Sequence, residues 1–97
     1  MYQLYFHKLV LSKDFKNIPP KDREHIIKII NKRLKKDPES YGKPLRKELK
    51  GYFRLRIDYY RVIYRIEKEK VTVFIVHIGL RKDLMAYIKS AKRLKLI

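Results

Sequence analysis

The sequence has no cysteine among its 97 residues, and its 10 Asp and Glu are outnumbered by 26 Lys and Arg. Without cysteine the chain forms neither a disulfide framework nor a thiolate metal site. Its three histidines are scattered, so we expect no metal centre and no cofactor. It also lacks an apolar run of membrane-spanning length and a signal-peptide pattern. We therefore expect a cytoplasmic protein that does not associate with membranes.

The shortage of acidic residues leaves a formal net charge of +16. Repulsion on this scale destabilises a compact fold unless a polyanion or an acidic partner relieves it. Nucleic acid is the commonest partner of so basic a chain, and an anionic surface or an acidic protein are the alternatives. The 45% of hydrophobic residues suffices for one core, so we expect a single domain over residues 1–97.

The spacing of apolar residues predicts an α+β fold in the order β-α-α-β-β-β-α. The three later strands form a meander, which favours a mainly antiparallel four-stranded sheet with two N-terminal helices on one face and a short C-terminal helix. Leu11, Phe15 and Ile18 mark the inner side of the first helix, and Ile26 and Ile30 mark that of the second. The expected elements are strand 2–6, helices 9–17 and 20–36, strands 53–57, 60–66 and 71–78, and a helix over 80–94.

Residues 52–66 predict a hairpin with an arginine-rich outer face. If Asp58 and Tyr59 form a two-residue turn, Arg56 lies directly opposite Arg61. Like charges in this arrangement destabilise a sheet, so we expect the face to hold an anion, for which the planar guanidinium is well suited. Solubility alone is the alternative explanation, and a longer turn would shift the register because neither turn residue is glycine. The outer face would carry Tyr52, Arg54, Arg56, Arg61 and Arg65.

Four segments together resemble the RelE/ParE toxin superfamily: GKPL at 42–45, LKGYFRLRI at 49–57, YRVIY at 60–64 and VFIVHIGLRK at 73–82. The resemblance implies a RelE-like fold and a toxin of a type II toxin–antitoxin pair. Its RelE branch cuts messenger RNA in the ribosomal decoding site. The implied partners are the ribosome, mRNA and an acidic RelB-like antitoxin, with the toxin monomeric alone and hetero-oligomeric with its antitoxin.

The resemblance also assigns roles to individual residues. It implies Arg61, Arg81 and Tyr87 as catalytic residues of a metal-independent endoribonuclease. Further cations are expected to bind RNA and stabilise the transition state, namely Arg54, Arg56, Arg65 and Lys82. The best-known members carry paired lysines where this sequence has Arg54 and Arg56. Arginine effectively never loses its proton, so a lysine general base is unavailable here, and Tyr87 or a ribosomal group must supply the base.

Other interpretations of the same residues remain open. Tyr87 lies on the apolar stripe of the last predicted helix and is compatible with packing alone. Arg81 is compatible with a solvated residue at a helix start. Strict alternation places His77 on the core face of its strand, which favours a structural role. At the level of function, the alternatives are a ParE-like inhibitor of DNA gyrase without nuclease activity and a non-catalytic RNA- or ribosome-binding module.

Overall fold

A computed structural model describes residues 1–82 and Arg93, and these form a mixed α+β fold built on one sheet. The order of its five strands is β1-β5-β4-β3-β2, with β1 parallel to β5 and the other pairs antiparallel. Within these residues no helix is long and apolar enough to cross a membrane. The C-terminal helix predicted over 80–94 does not begin at Leu80, which is the last residue of β5, and Arg81 and Lys82 form a turn. The rest of that predicted helix lies outside the described residues, apart from Arg93. The elements are β1 Gln3–Phe6, a π-helical turn Val10–Asp14, a 3₁₀ turn Phe15–Asn17, α1 Pro20–Arg33, α2 Pro38–Tyr41, β2 Lys43–Pro44, a 3₁₀ turn Lys47–Leu49, β3 Tyr52–Ile57, β4 Tyr60–Glu67 and β5 Thr72–Leu80.

The predicted count of four strands is wrong by one. The extra strand, β2, consists only of Lys43 and Pro44, which pair with Arg54 and Phe53 at the edge of the sheet. Two residues are too few to show an alternating pattern, and proline is found in sheets mainly at edges because it cannot donate to the ladder. No sequence signal was therefore available for this element.

The first predicted helix is not an α-helix but a π-helical turn followed by a 3₁₀ turn. Leu11, assigned to the inner side, is 55% exposed, and Val10 is fully buried in its place. A π turn has more residues per turn than an α-helix, so the buried residue one turn before Phe15 is Val10 and not Leu11. Phe15 and Ile18 are buried as predicted. The wider turn brings Val10, Asp14 and Phe15 together on the inner side.

The core lies between α1 and one face of the sheet, which we call the helix face. Ile26, Ile30 and Leu34 are fully buried there, as the predicted stripe requires. They pack in one cluster with Val62 and Tyr64 of β4. The two N-terminal helical segments therefore cover a single face of the sheet, as predicted, although only the second is an α-helix.

The predicted hairpin register is confirmed. Ile57 pairs with Tyr60 and Arg56 pairs with Arg61 across a two-residue turn. Asp58, the first turn residue, has φ +53°, in the left-handed region that aspartate tolerates better than most residues. The turn thus forms without glycine.

A β-bulge in β5 changes the faces of its later residues. Ile63 pairs with His77 while the next residue, Tyr64, pairs with Ile75, so Val76 is the extra residue. A bulge interrupts the alternation of side chains along its strand. His77 therefore lies on the face away from α1, and its assignment to the core face is wrong, although it is 3% exposed.

Asp14 and Arg93 stabilise β5 around this bulge. Beyond Ile75 β5 is no longer paired with β1, and there the Ile78 N–H donates to Asp14 Oδ2 at 3.0 Å. Arg93 Nη1 donates to the Val76 carbonyl at 3.0 Å, and the guanidinium holds both carboxylate oxygens of Asp14 at 2.6 and 2.7 Å. A bidentate pair of this kind is both strong and directional. The two buried side chains thus replace the strand that β5 lacks at this edge.

We expect Asp14→Asn to destabilise the protein by about 3–5 kcal/mol, because it leaves the buried guanidinium of Arg93 without its counter-charge. Urea unfolding followed by circular dichroism measures the change. The matched control is Glu69→Gln at an exposed turn position, which we expect to change stability by less than about 0.5 kcal/mol. Equal stability of the two variants would contradict this role of Asp14.

Candidate nucleic-acid interface

The face of the sheet away from α1, here called the arginine face, presents its side chains in three rows. In the first row Arg56 pairs with Arg61, and Arg61 pairs with Gly79. The second contains Arg54, Ile63 and His77. The third contains Tyr52, Arg65, Phe74 and Tyr5. Cations therefore run along the whole length of the hairpin on one face.

A cleft of about 500 Å³ opens at the first row and is here called the arginine cleft. It brings together four cations that the sequence singled out, although Arg81 and Lys82 lie some 20 positions after the other two. Arg54 lies one row away from the first row and Arg65 two rows away. Tyr87 lies outside the described residues. The residues lining the cleft are Arg56, Tyr59, Arg61, Leu80, Arg81 and Lys82.

Arg81 is held in position by the hairpin turn. Its backbone N–H donates to the Tyr59 carbonyl at 2.7 Å, and its Nη1 donates to the Asp58 carbonyl at 2.9 Å. Two bonds to adjacent carbonyls restrict both the backbone and the guanidinium of an otherwise exposed residue. A guanidinium has five N–H donors, so its bond to Asp58 leaves it the capacity to bind an anion as well.

Gly79 keeps the first row open beside Arg61. It is the cross-strand partner of Arg61, and a Cβ at this position would lie 2.7 Å from Cε1 of His77. That separation is shorter than any normal carbon–carbon contact, so a side chain at residue 79 would displace the imidazole. The buried His77 ring and the missing side chain at Gly79 together shape the space next to the cleft.

The electrostatics of the cleft favour a bound anion. Arg61 is only 9% exposed, and its cross-strand partner on β3 is a second arginine, Arg56. Like charges in directly opposed positions repel, and partial burial strengthens the interaction by lowering the local dielectric. An anion between the two relieves this repulsion. The arrangement therefore suits a phosphate group with two bidentate contacts.

Sequence reasoning missed the contacts that anchor the hairpin turn to α1. His25 Nε2 lies 3.1 Å from Asp58 Oδ2, and the Tyr60 hydroxyl donates to Asp22 Oδ2 at 2.5 Å. Asp22 and His25 both lie in the second predicted helix. Helical periodicity does not identify the residues that they contact, which are more than 30 positions away in the chain. Sequence reasoning also did not identify Tyr59 and Leu80 as cleft residues, because the cleft joins segments that are distant in the chain. Among the described residues, no group of three His, Cys, Asp or Glu side chains is placed to hold a metal ion.

The chain matches known proteins over most of its length. Residues 8–85 match the family model described as ParE toxin of type II toxin-antitoxin system, parDE. The chain is 36% identical over 72 residues to toxin RelG of Mycobacterium tuberculosis, which covers 74% of this chain and 83% of that protein. To toxin RelE of the same organism it is 33% identical over 70 residues, or 72% of each chain.

Solved structures show the same fold. The toxin–antitoxin complex RelBE2 from Mycobacterium tuberculosis contains a chain with TM-score 0.76 and 34% identity, covering 82% of this chain and 98% of that one. A free arginine-substituted mutant of E. coli toxin RelE has TM-score 0.74 and 26% identity, covering 96% and 97% of the two chains. The α+β architecture with a five-stranded sheet is thus shared over nearly the whole domain.

The hydrogen bond to Asp22 raises the pKa of Tyr60 to about 12, with burial and the carboxylate charge acting in the same direction. The pKa of the folded state lies above the ordinary value of 10, so deprotonation of Tyr60 opposes folding. We expect its contribution to stability to be complete below pH 10 and to be lost as the pH rises through about 12. Asp22→Asn should lower the pKa of Tyr60, as measured by tyrosinate absorbance, while Glu24→Gln on the exposed side of α1 should not.

We expect Arg56→Gln to stabilise the protein by up to about 1 kcal/mol at low salt, because it removes the like-charge pair with Arg61. The gain should shrink at high salt, where the repulsion is screened. Inorganic phosphate should raise the melting temperature of the wild type more than that of the variant. Arg46→Gln, an exposed arginine outside the cleft, is the control. A loss of stability in Arg56→Gln with an unchanged response to phosphate would contradict the anion site.

Proposed function

This chain belongs to the RelE/ParE superfamily of toxins of type II toxin–antitoxin systems, and we propose that it is an endoribonuclease that cuts mRNA on the ribosome and so inhibits translation. The observation that carries the proposal is the convergence of Arg56, Arg61, Arg81 and Lys82 in one cleft. A ribosomal target implies action in the cytoplasm. Support for the RelE-type activity also comes from the named relatives, toxin RelG and toxin RelE.

The proposed reaction needs no metal ion. The 2′-oxygen of one nucleotide attacks the adjacent phosphorus, the bond to the 5′-oxygen breaks, and a 2′,3′-cyclic phosphate forms. Negative charge accumulates on the phosphoryl oxygens and on the leaving oxygen. Preorganised cations aimed at such charge are usually the largest catalytic contribution. We assign the phosphoryl oxygens to Arg61, with Arg54, Arg56, Arg65 and Lys82 as further RNA-binding cations.

The leaving oxygen and the 2′-hydroxyl proton need further groups. We assign Arg81, fixed by its bonds to the hairpin turn, to the leaving 5′-oxygen. It neutralises the developing charge there, and the oxygen takes its proton from water. Arg56 cannot accept the proton of the 2′-hydroxyl, because arginine stays protonated in proteins. We assign that proton to Tyr87 as the general base, or to a group of the ribosome.

We propose that an acidic antitoxin is the second partner of the chain. The similar Mycobacterium tuberculosis structure is that of a toxin–antitoxin complex. A net charge of +16 favours an acidic polypeptide over the arginine face, where it would compete with RNA. The toxin alone is proposed to be monomeric, with hetero-oligomers forming through the antitoxin.

A second candidate function is inhibition of DNA gyrase without nuclease activity, because the matching family model is described as ParE. Such a protein would block supercoiling by purified gyrase and leave mRNA intact. The arginine cleft favours the nuclease, because gyrase inhibition has no evident requirement for a phosphate site of this kind. Supercoiling and mRNA-cleavage assays on the same preparation separate the two functions.

We expect Arg61→Gln and Arg81→Ala each to slow cleavage of mRNA on programmed ribosomes by about 10²–10³-fold, because each removes a cation from the developing charge. Tyr87→Phe should slow it as well. A 2′-deoxy nucleotide at the cut site should abolish cleavage. A chelator that removes transition metals but leaves magnesium on the ribosome should not change the rate.

The control for these variants is Lys16→Ala, an exposed cation on the 3₁₀ turn remote from the cleft, which should cleave at the wild-type rate. Circular dichroism establishes that the Arg61 variant is folded. Cleavage that persists in both arginine variants, or on the 2′-deoxy message, would overturn the proposed mechanism.

A further inference from the structure

The third row of the arginine face contains a stack of planar groups, of which the proposed function uses only Arg65, as an RNA-binding cation. The Arg65 guanidinium carbon lies 4.5 Å from the centroid of the Phe74 ring. On the other side of Phe74 the Tyr5 ring is stacked at a centroid distance of 5.6 Å and an interplanar angle of 22°. The three residues are cross-strand neighbours on β4, β5 and β1. They form a continuous stack across three strands.

The stack is open at its β1 end. Tyr5 is 57% exposed, although it belongs to a sheet in which most large side chains are covered. β1 is the edge strand of the described sheet, so no further strand of this sheet lies beside the outer face of the Tyr5 ring. The stack therefore has the geometry to accept one more planar group against Tyr5.

The position of the stack connects it to the arginine cleft. Arg65 is four residues along β4 from Arg61, a distance of roughly 13 Å at the rise of an extended strand. Arg54 lies in the row between them. Cations thus mark a path between the cleft and the stack that a strand of RNA a few nucleotides long can follow.

A purely structural function is the competing explanation, because aromatic cross-strand pairs stabilise sheets. Two features go beyond it. The first is the exposure of Tyr5, since a ring whose only role is packing stabilises the fold more when it is buried. The other is the combination of a guanidinium with aromatic rings along a basic face, which is the composition that binds unpaired bases.

We propose that Arg65, Phe74 and Tyr5 form a stacking subsite for a base of single-stranded RNA, a few nucleotides from the phosphate at Arg61. The base continues the stack on the outer face of Tyr5. Arg65 Nη1 lies 3.6 Å from Glu67 Oε1, and other N–H donors of its guanidinium contact the phosphate backbone. The subsite rests on the proposed function in that RNA is the substrate, but it does not depend on cleavage. It recognises stacking surface rather than base identity, so it adds affinity without strict sequence preference.

The absence of tryptophan from the sequence provides a direct test. Tyr5→Trp places the sole indole of the protein at the end of the stack. We expect its fluorescence to be quenched by a single-stranded 2′-O-methyl oligonucleotide of about eight nucleotides, within the range that single-stranded sites cover. The oligonucleotide has no free 2′-hydroxyl and cannot be cut. Inorganic phosphate and an abasic oligonucleotide of equal length should not quench the indole.

Affinity measured by fluorescence anisotropy gives a second readout. Tyr5→Leu should weaken binding of the oligonucleotide between about 5-fold and about 100-fold, the range expected for one stacked base. Tyr5→Phe should bind as the wild type does, because it keeps the ring. Tyr5→Leu should also lose the difference between the normal and the abasic oligonucleotide. Equal binding of both oligonucleotides to the wild type, or an unchanged indole signal while anisotropy reports binding, would overturn the subsite.

Two further measurements separate this inference from others. If an acidic peptide, such as poly-glutamate, shifts the indole signal and the oligonucleotide does not, the stack is a protein-binding surface and the inference fails.

On programmed ribosomes, Tyr5→Leu should raise KM and leave kcat unchanged, whereas Arg61→Gln should lower kcat. A wild type that binds through Tyr5 but never cleaves would refute the proposed nuclease and leave the subsite standing.

Discussion

The single extra residue in β5 determines the geometry of the arginine face. Because Val76 has no partner of its own on β4, the residues after it are displaced by one position. Regular alternation would have turned Gly79 toward the helix face, whereas it lies opposite Arg61 and is followed two residues later by Arg81. The bulge is held by the buried pair of Asp14 and Arg93. A structural ion pair outside the cleft thus decides which residues can meet inside it.

The pairing of two arginines in the cleft lowers the stability of the fold. Arg56 and Arg61 are paired directly on adjacent strands, and Arg61 is largely buried. The net charge of +16 shows that the chain carries many other cations that keep it soluble. Solubility therefore does not explain why Arg56 and Arg61 are paired at the expense of folding stability. An anionic ligand removes that cost. The same electrostatics favour any polyanion, so the RNA and the acidic antitoxin of the proposed function would compete for one face.

The tip of the hairpin combines folding and function. Asp58 adopts a left-handed conformation, its carboxylate contacts His25 of α1, and its carbonyl accepts from Arg81. The turn therefore ties the helix layer to the cleft through one residue. The bond from Arg81 to the Asp58 carbonyl also limits the motion of the Arg81 guanidinium, which follows β5 at an exposed position. Positioning of this kind matters because transition-state charge is stabilised best by donors that need not reorganise.

The sequence by itself determined the features that depend on local pattern: the α+β class, the α1 stripe and the hairpin register. These follow from neighbouring residues, because alternation and helical spacing repeat within a few positions. Only the tertiary structure decided the positions of His77 and Leu11. Both depend on Asp14, whose carboxylate bonds the backbone of Ile78, 64 positions away. A bulge and a π turn that satisfy such a distant contact leave no periodic signal, because the groups that stabilise them are not neighbours in the chain.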